Sequence, residues 1–428
     1  MNHTVSEIKL ANGAQGLFID VPGATVMDLE FNFRAGEYLV DRRKWEVPHL
    51  MEHVLLGANQ LIPKARAFQA EFEKNGAYSN AHTGVYHITY EAECADFEWQ
   101  RILDLMLVAI SQPLFLRQEF LAEYGNVRDE LMARSNNHFL HLGATTRQAY
   151  GLLAMSDSER LKLIRNVKLS DIQSHYQRTH LTKNLRFMVA GNLSGRQEVI
   201  NKAIKSLQLP SGRGRLELPP ERPQRLEQTV FVSRPSVKNV YFYLDTFALT
   251  RFEDPDWDAL GLVNTMLTST LYSRILGEAR EKGLVYHLNS NLDVTRDSSS
   301  WWFGAQVLPK NAPPLFKIIV RELMRVREGD ISTEDLEAAK QYLLGRHQRS
   351  AQTVGGTMAG YAGHYYFDGV IDDYHAVPQR IKAVTKERIV GAANRMFSDR
   401  IGGLGILGGG PARQLVPLLD DIVAPLWL

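Results

Sequence analysis

Apolar residues recur at every second position through Val26 to Phe33, and an alternating stretch returns between Thr229 and Phe247; this period of two predicts strands with one buried face. A third strand is expected within TGVYHITYEAE, where Tyr86, Ile88 and Tyr90 share one face and Val85, His87 and Thr89 the other. Helical spacing is clearest over about 96–111, with Ile102, Leu103, Met106, Leu107 and Ile110 facing a core. A shorter helix starts near Pro48, where proline removes only an N–H that the first turn leaves unpaired. Another runs from about Arg117 into the 130s, after the breaker Pro113.

The same order of elements occurs twice. Each half opens on alternation, passes through a helical stretch, a further strand and a long helical region, and ends on an apolar strand that runs into glycine, LRFMVAGN in the first and GGLGILGG in the second. Between the halves, PSGRGRLELPPERPQRLEQ is rich in proline and arginine, which suits an extended linker. The expected fold class is α+β: two homologous α/β-sandwich domains, 1–208 and 229–428, joined by the linker 209–228.

Composition narrows the function classes. The chain has 428 residues, 44% hydrophobic and 23% charged, with a net charge of +1, so it reads as globular without a basic footprint for nucleic acid or anionic membrane. No run of about 18 apolar residues occurs, so no membrane span is expected. One cysteine, Cys94, excludes an intrachain disulfide framework and reads as a small buried apolar residue. With no signal or transit pattern at the N-terminus, a cytoplasmic location is expected.

Chemistry concentrates at His49-Leu50-Met51-Glu52-His53. Two imidazoles at i and i+4 lie one helical turn apart on one face, as two ligands of a tetrahedral zinc must. Glu52 borders that face and could act as general base on a zinc-bound water attacking a carbonyl. This is the His-x-x-Glu-His order, the inverse of the commoner zinc-peptidase motif. A third ligand is still needed. Glu123 and Glu130 stand seven apart on the later helix, about 10 Å along its axis, so only one of them can reach the same ion. Taken alone, that pair is an ordinary solvated face.

Together these residues resemble the pitrilysin family, which includes insulin-degrading enzyme and the mitochondrial processing peptidases, and the resemblance covers essentially the whole chain. It implies that Glu130, 77 residues after His53, is the third ligand of one Zn2+ per chain, and that Glu123 orients ligands or assists catalysis. It further implies that NGAYSNAHT leads into a substrate-facing strand carrying Asn80 and Ala81, to whose edge an extended peptide adds. SRILGEAREKGLVYHLNS is similar to the family's Arg-Tyr element. Arg280 would sit near a helix end that Gly283 terminates, and Tyr286 would open a strand. By the resemblance, this pair binds substrate backbone and stabilises the oxyanion. The sequence departs from the family pattern at Pro48, at LLGAN after the motif and at Tyr124, none of which is a ligand position.

The expected activity is therefore a zinc metalloendopeptidase that hydrolyses extended or unfolded peptides inside an enclosed chamber. A chain of this length resembles the family's short branch, which implies a homodimer or a heterodimer with a related subunit. Two alternatives stay open: a non-catalytic, scaffold- or chaperone-like partner subunit of a peptidase assembly, and a peptidase dedicated to one precursor. His82, His87, His138, His141 and His364 are expected to be non-ligands. The glycine-rich GGTMAGYAGHYYF fits either a bend around substrate or close helix packing.

Overall fold

A computed structural model describes all 428 residues. Its strands are β1 (Thr4–Lys9), β2 (Gln15–Asp20), β3 (Val26–Phe33), β4 (Tyr78–Thr83), β5 (Ile88–Ala95), β6 (Leu185–Gly191), β7 (Val230–Ser233), β8 (Val240–Ala248), β9 (Leu288–Val294), β10 (Ser299–Val307) and β11 (Ile401–Gly408). They form a six-stranded sheet in the order β1-β2-β6-β3-β5-β4 and a five-stranded sheet in the order β7-β11-β8-β10-β9. In each, one pair is parallel, β2 with β6 and β7 with β11, and the rest are antiparallel. Apart from the extra β1, the two sheets repeat one topology. The fold is a pair of matching α/β sandwiches, as the repeated order of elements implied.

Alternation in β3 does what the sequence suggests. Met27, Leu29, Phe31 and Phe33 are fully buried and join Ile88, Tyr90 and Ala92 of β5 in one core. Helix Trp99–Ser111 closes that core with Ile102, Leu103, Met106 and Ile110, and helix Val47–Leu55 adds Leu50, Met51 and Leu55. In the second sheet, Phe242, Leu244, Trp301, Phe303, Leu404 and Ile406 pack against helices Asp254–Thr268, Ala312–Arg327 and Lys386–Ser398.

The division of the chain differs from the contiguous halves read from the sequence. One compact unit comprises Met1–Met132, Glu159–Leu218 and Gln348–Tyr374; the other comprises Ala133–Ser158, Pro219–His347 and His375–Leu428. Each half thus gives one helix to the other half's sheet. Helix Val354–Asp368, which holds the glycine-rich stretch, lays Val354, Met358, Tyr361 and Tyr365 on Leu17, Ile19, Met188 and Ala190 of the first sheet. Helix His138–Ala149 lies on the second sheet, where Phe139 stacks on Tyr243 with ring centroids 4.3 Å apart. A Cβ on Gly304 would come within 2.6 Å of the Phe139 ring, so this approach requires glycine. The physical reason for the exchange is two-sided burial: a sheet with helices on one face only would leave Leu17 and Ile19 in water. Two glycines of GGTMAGYAGHYYF stand where a Cβ would clash, Gly356 against the Ser350 carbonyl and Gly360 against the Tyr374 ring, whereas a Cβ on Gly363 would meet nothing. The stretch 209–228 has no helix or strand, and the boundary between the units at 218/219 falls inside it.

The strand expected across TGVYHITYEAE is instead one arm of a hairpin. β4 ends at Thr83, the chain turns through 84–87 with Gly84 N–H donating to the His87 carbonyl at 2.8 Å, and β5 starts at Ile88. The turn is fixed from outside, because Gly36 N–H donates to the Tyr86 carbonyl at 3.1 Å and Tyr38 N–H to that of Val85 at 3.0 Å. Cys94 is buried, and burial pushes its thiol up to about 12, which makes it inert. No helix is long and apolar enough to cross a membrane.

Candidate metal centre

Helix Val47–Leu55 carries the motif with Pro48 in its first turn, and Leu50 N–H closes that turn on the Glu46 carbonyl at 2.9 Å. Leu50, Met51 and Leu55 fix one side of the helix in the core, which turns His49, Glu52 and His53 the other way. His49 and Glu52 are themselves buried, 7% and 8% exposed, so their polar atoms must find partners.

They do. His49 Nδ1 lies 3.0 Å from Glu46 Oε2, and His53 Nδ1 lies 3.0 Å from Glu123 Oε2. With both Nδ1 atoms tied to carboxylates, both Nε2 atoms are directed at Glu130, whose Oε2 is 3.4 Å from His49 Nε2 and 3.8 Å from His53 Nε2. One ligand atom from each of His49, His53 and Glu130 lies within 4.8 Å of the others. Two imidazole nitrogens and a carboxylate oxygen, with each imidazole backed by a carboxylate, are a donor set that suits a zinc ion. These residues fit such an ion.

The electrostatics follow from the pairing. Burial alone would lower the His49 imidazole, but hydrogen bonds to Glu130 and Glu46 override it and raise it to about 9. Burial works against the Glu46 carboxylate, yet its bonds to His49 and Arg160 hold it below the ordinary value. Hydrogen bonding from His53 holds Glu123 low in the same sense, with Asn126 adding a second bond at 3.1 Å. Arg160 grips Glu46 with two nitrogens, Nη2 at 2.9 Å from Oε2 and Nε on Oε1. Glu52 accepts from the Thr83 hydroxyl at 2.6 Å through Oε2.

Helix Arg117–Ser135 supplies Glu123 and Glu130, and their separation of almost two turns lets one meet His53 Nδ1 and the other face both Nε2 atoms. Asn80 and Ala81 lie on β4, the outermost strand, which pairs with β5 on one side only. Asn80 donates to Glu91 Oε1 at 3.0 Å. Arg280 and Tyr286 belong to the second unit and form a pair of their own: Arg280 Nη1 donates to the Tyr286 carbonyl at 2.6 Å, and its guanidinium lies 4.7 Å from the ring centroid. Helix Leu276–Glu281 ends before Gly283, whose φ of +62° is left-handed, and β9 opens two residues after Tyr286. Tyr286 is 84% exposed.

His138 and His141 lie outside this cluster. His138 packs on Tyr241, and His141 reaches Ser158 and Arg234 through its two nitrogens. Three contributors escaped the sequence reading: Glu46, Arg160 and Thr83. Glu46 had a detectable signal, three residues before His49 on the same helical face. Thr83 lies in the quoted NGAYSNAHT, but only the hairpin register aims it at Glu52. Arg160 is too distant in sequence to have given any.

Comparison with known proteins bears on the family and the fold. Residues 46–155 match the model for the insulinase family, peptidase family M16, and residues 166–343 match the model for the peptidase M16 inactive domain. An uncharacterized zinc protease of Bacillus subtilis is 20% identical over 361 residues, covering 82% of this chain and 86% of the relative. One of Streptomyces coelicolor is 22% identical over 333 residues, covering 72% and 69%. Among solved structures, a protease from Helicobacter pylori superposes with a TM-score of 0.83 at 20% identity, over 95% of this chain and 100% of the other. A peptidase M16 inactive domain from Pseudomonas fluorescens gives 0.82 at 19% identity, over 95% and 98%. With two M16 models spanning most of its length and this fold, the chain belongs to the M16 (insulinase, or pitrilysin) peptidase family as a short, two-domain member.

Proposed function

We propose that this chain is a zinc-dependent endopeptidase acting on extended peptides, with His49, His53 and Glu130 as metal ligands and Glu52 as general base. The observation that carries the reading is the convergence of His49 Nε2, His53 Nε2 and a Glu130 carboxylate oxygen, with a carboxylate behind each imidazole. Zn2+ held by these three groups would supply Lewis acidity, activating a water and polarising a peptide carbonyl. Thr83 engages Glu52 Oε2, which leaves Oε1 to take the proton of the attacking water and return it to the amine nitrogen as the peptide C–N bond breaks. Glu46 and Glu123 orient the two imidazoles, and Arg160 keeps Glu46 ionised. The open edge of β4, with Asn80 and Ala81, suits backbone pairing with a substrate strand, which tolerates many side chains. Arg280 and Tyr286 are assigned to binding substrate backbone, and a homodimer is the assembly proposed.

The second reading is a partner subunit without activity, favoured by the match of residues 166–343 to the inactive-domain model. All the residues assigned above to metal and base precede that segment. The two readings part on one pair of substitutions. Glu52→Gln should keep metal, by elemental analysis, and lose chelator-sensitive cleavage of a quenched fluorescent peptide; His53→Ala should lose both. Turnover retained in Glu52→Gln removes the base assignment, and metal-free, inactive protein prepared without chelator favours the subunit reading. Lower kcat with metal intact is expected for Arg280→Ala and Tyr286→Phe. Sedimentation of the same sample tests the dimer.

A further inference from the structure

On the sheet face opposite the motif helix, charge is sorted along the strands. At one end of the β3–β5 pair stand Asp28, Glu30, Glu91 and Glu93; the centre is neutral, with Asn32 donating to Thr89; beyond it, towards the 84–87 turn, lie Arg34 and His87. Arg186 on β6 and Arg215 from the linker complete that cationic end. The hydrogen bonds of the three arginines go to neutral oxygens only. Arg34 donates to the carbonyls of Leu216 and Phe367, Arg186 to that of Leu185, and Arg215 to those of Asn184 and Tyr366 and to Asn32 Oδ1.

Those bonds anchor the linker and the end of helix Val354–Asp368, but they leave donors over. Arg34 Nε, the Tyr38 hydroxyl, His87 Nε2 and the Tyr365 hydroxyl are buried without a partner, and Tyr365 is fully buried. Unpaired donors around three guanidinium groups are costly unless an anion completes them. Arg34, Tyr38, His87, Arg186 and Arg215 each keep partial exposure, while the unpartnered atoms themselves are buried beneath it.

We propose that Arg34, Arg186, Arg215, Tyr38, His87 and Tyr365 form a carboxylate-binding subsite that receives an acidic group of a bound peptide. A peptide is the fitting source because the 84–87 turn continues directly from β4, whose last residue, Thr83, holds Glu52. A strand added to β4 would reach the end of the sheet at which this cluster lies, with β5 between the two. The proposal rests on the peptidase reading for its ligand. Its charge balance agrees: burial, then Arg34 and Arg186, push the Arg215 guanidinium down to about 8, and Glu7, Glu217 and Asp368 only partly offset burial at Arg186 and Arg34. A bound carboxylate would reverse that shift.

The test is calorimetric titration of zinc-loaded Glu52→Gln protein with three kinds of alanine-serine decapeptide: one with a free C-terminal acid, an amidated set with one glutamate walked through the positions, and an amidated control with glutamine. Binding at least tenfold tighter for the free acid assigns the subsite to a terminal carboxylate, and for one glutamate peptide to a side chain; either supports it. The preference should vanish in both Arg215→Gln and Arg186→Gln. Arg186 bonds only to the adjacent carbonyl, so its loss leaves the linker anchored. Equal affinities, or a preference that survives both substitutions, overturn the subsite while leaving the peptidase reading intact. If no peptide binds, both fall.

Discussion

Thr83 donates its hydroxyl to Glu52 Oε2 at 2.6 Å, joining the last residue of the edge strand to the residue assigned as base. A hydrogen bond to a carboxylate is worth about 1.5–3 kcal/mol. Thr83→Val should therefore lower kcat by about tenfold or more, a change of roughly 1.4 kcal/mol per decade. Metal content should not change. Steady-state kinetics beside elemental analysis checks this, and an unchanged kcat would mean that the contact only packs.

Glu123 and Glu46 both back an imidazole, but they differ in burial. Glu123→Gln should weaken metal affinity by about 10–100-fold, the usual effect of losing such a partner, with little change in melting temperature. Glu46→Gln should weaken it similarly and also destabilise the metal-free protein, on the order of 3 kcal/mol, because it removes the buried carboxylate that Arg160 grips. Competition with a chelator and thermal melts separate the two. Equal melting temperatures would contradict the assignment of Glu46 to both tasks.

A pH dependence follows from the acidic end of the first sheet. Asp28 faces Glu93 across the β3–β5 pair, and burial, then Glu93, Glu30 and Glu91, push its carboxyl from 3.8 to about 7. A folded value above the unfolded one means that the folded state binds the extra proton. Its stability is then full below about pH 4 and is lost as pH rises through about 7. Asp28→Asn should raise the melting temperature at pH 8 and hardly at pH 4. The same gain at both pH values would show that its charge is not the cause.

Gly36 tests whether the hairpin is positioned from outside. A Cβ there would lie 2.3 Å from the carbonyl oxygens of Gly84 and Val85, backbone atoms that cannot rotate away. Gly36→Ala should cost about 1–3 kcal/mol of stability, as overpacking does. Because the turn it displaces follows Thr83, kcat should fall as well. A variant that melts lower but cleaves normally would uncouple the turn from Glu52.

Much of this molecule is written locally. The alternation of Met27, Leu29, Phe31 and Phe33, the helical spacing of Ile102 to Ile110 and the repeated order of elements each arise within short windows, and each reappears in the structure. The TGVYHITYEAE strand misled because alternation cannot reveal a turn that is held by Gly36 and Tyr38, about fifty residues earlier. Contiguous halves misled for a related reason. One helix on each sheet comes from the opposite half, and an amphipathic pattern does not say which sheet it will cover.

The candidate site divides in the same way. The sequence by itself determined that His49, Glu52 and His53 share a helical face and that Glu123 and Glu130 repeat after almost two turns, since helix geometry alone sets those relations. Only the tertiary structure decided that Glu46 and Glu123 turn the two imidazoles toward Glu130, that Arg160 steadies Glu46 and that Thr83 steadies Glu52. Those hydrogen bonds act over about 3 Å in space, and most join residues tens of positions apart, so they exist only after the sheet and its helices have packed.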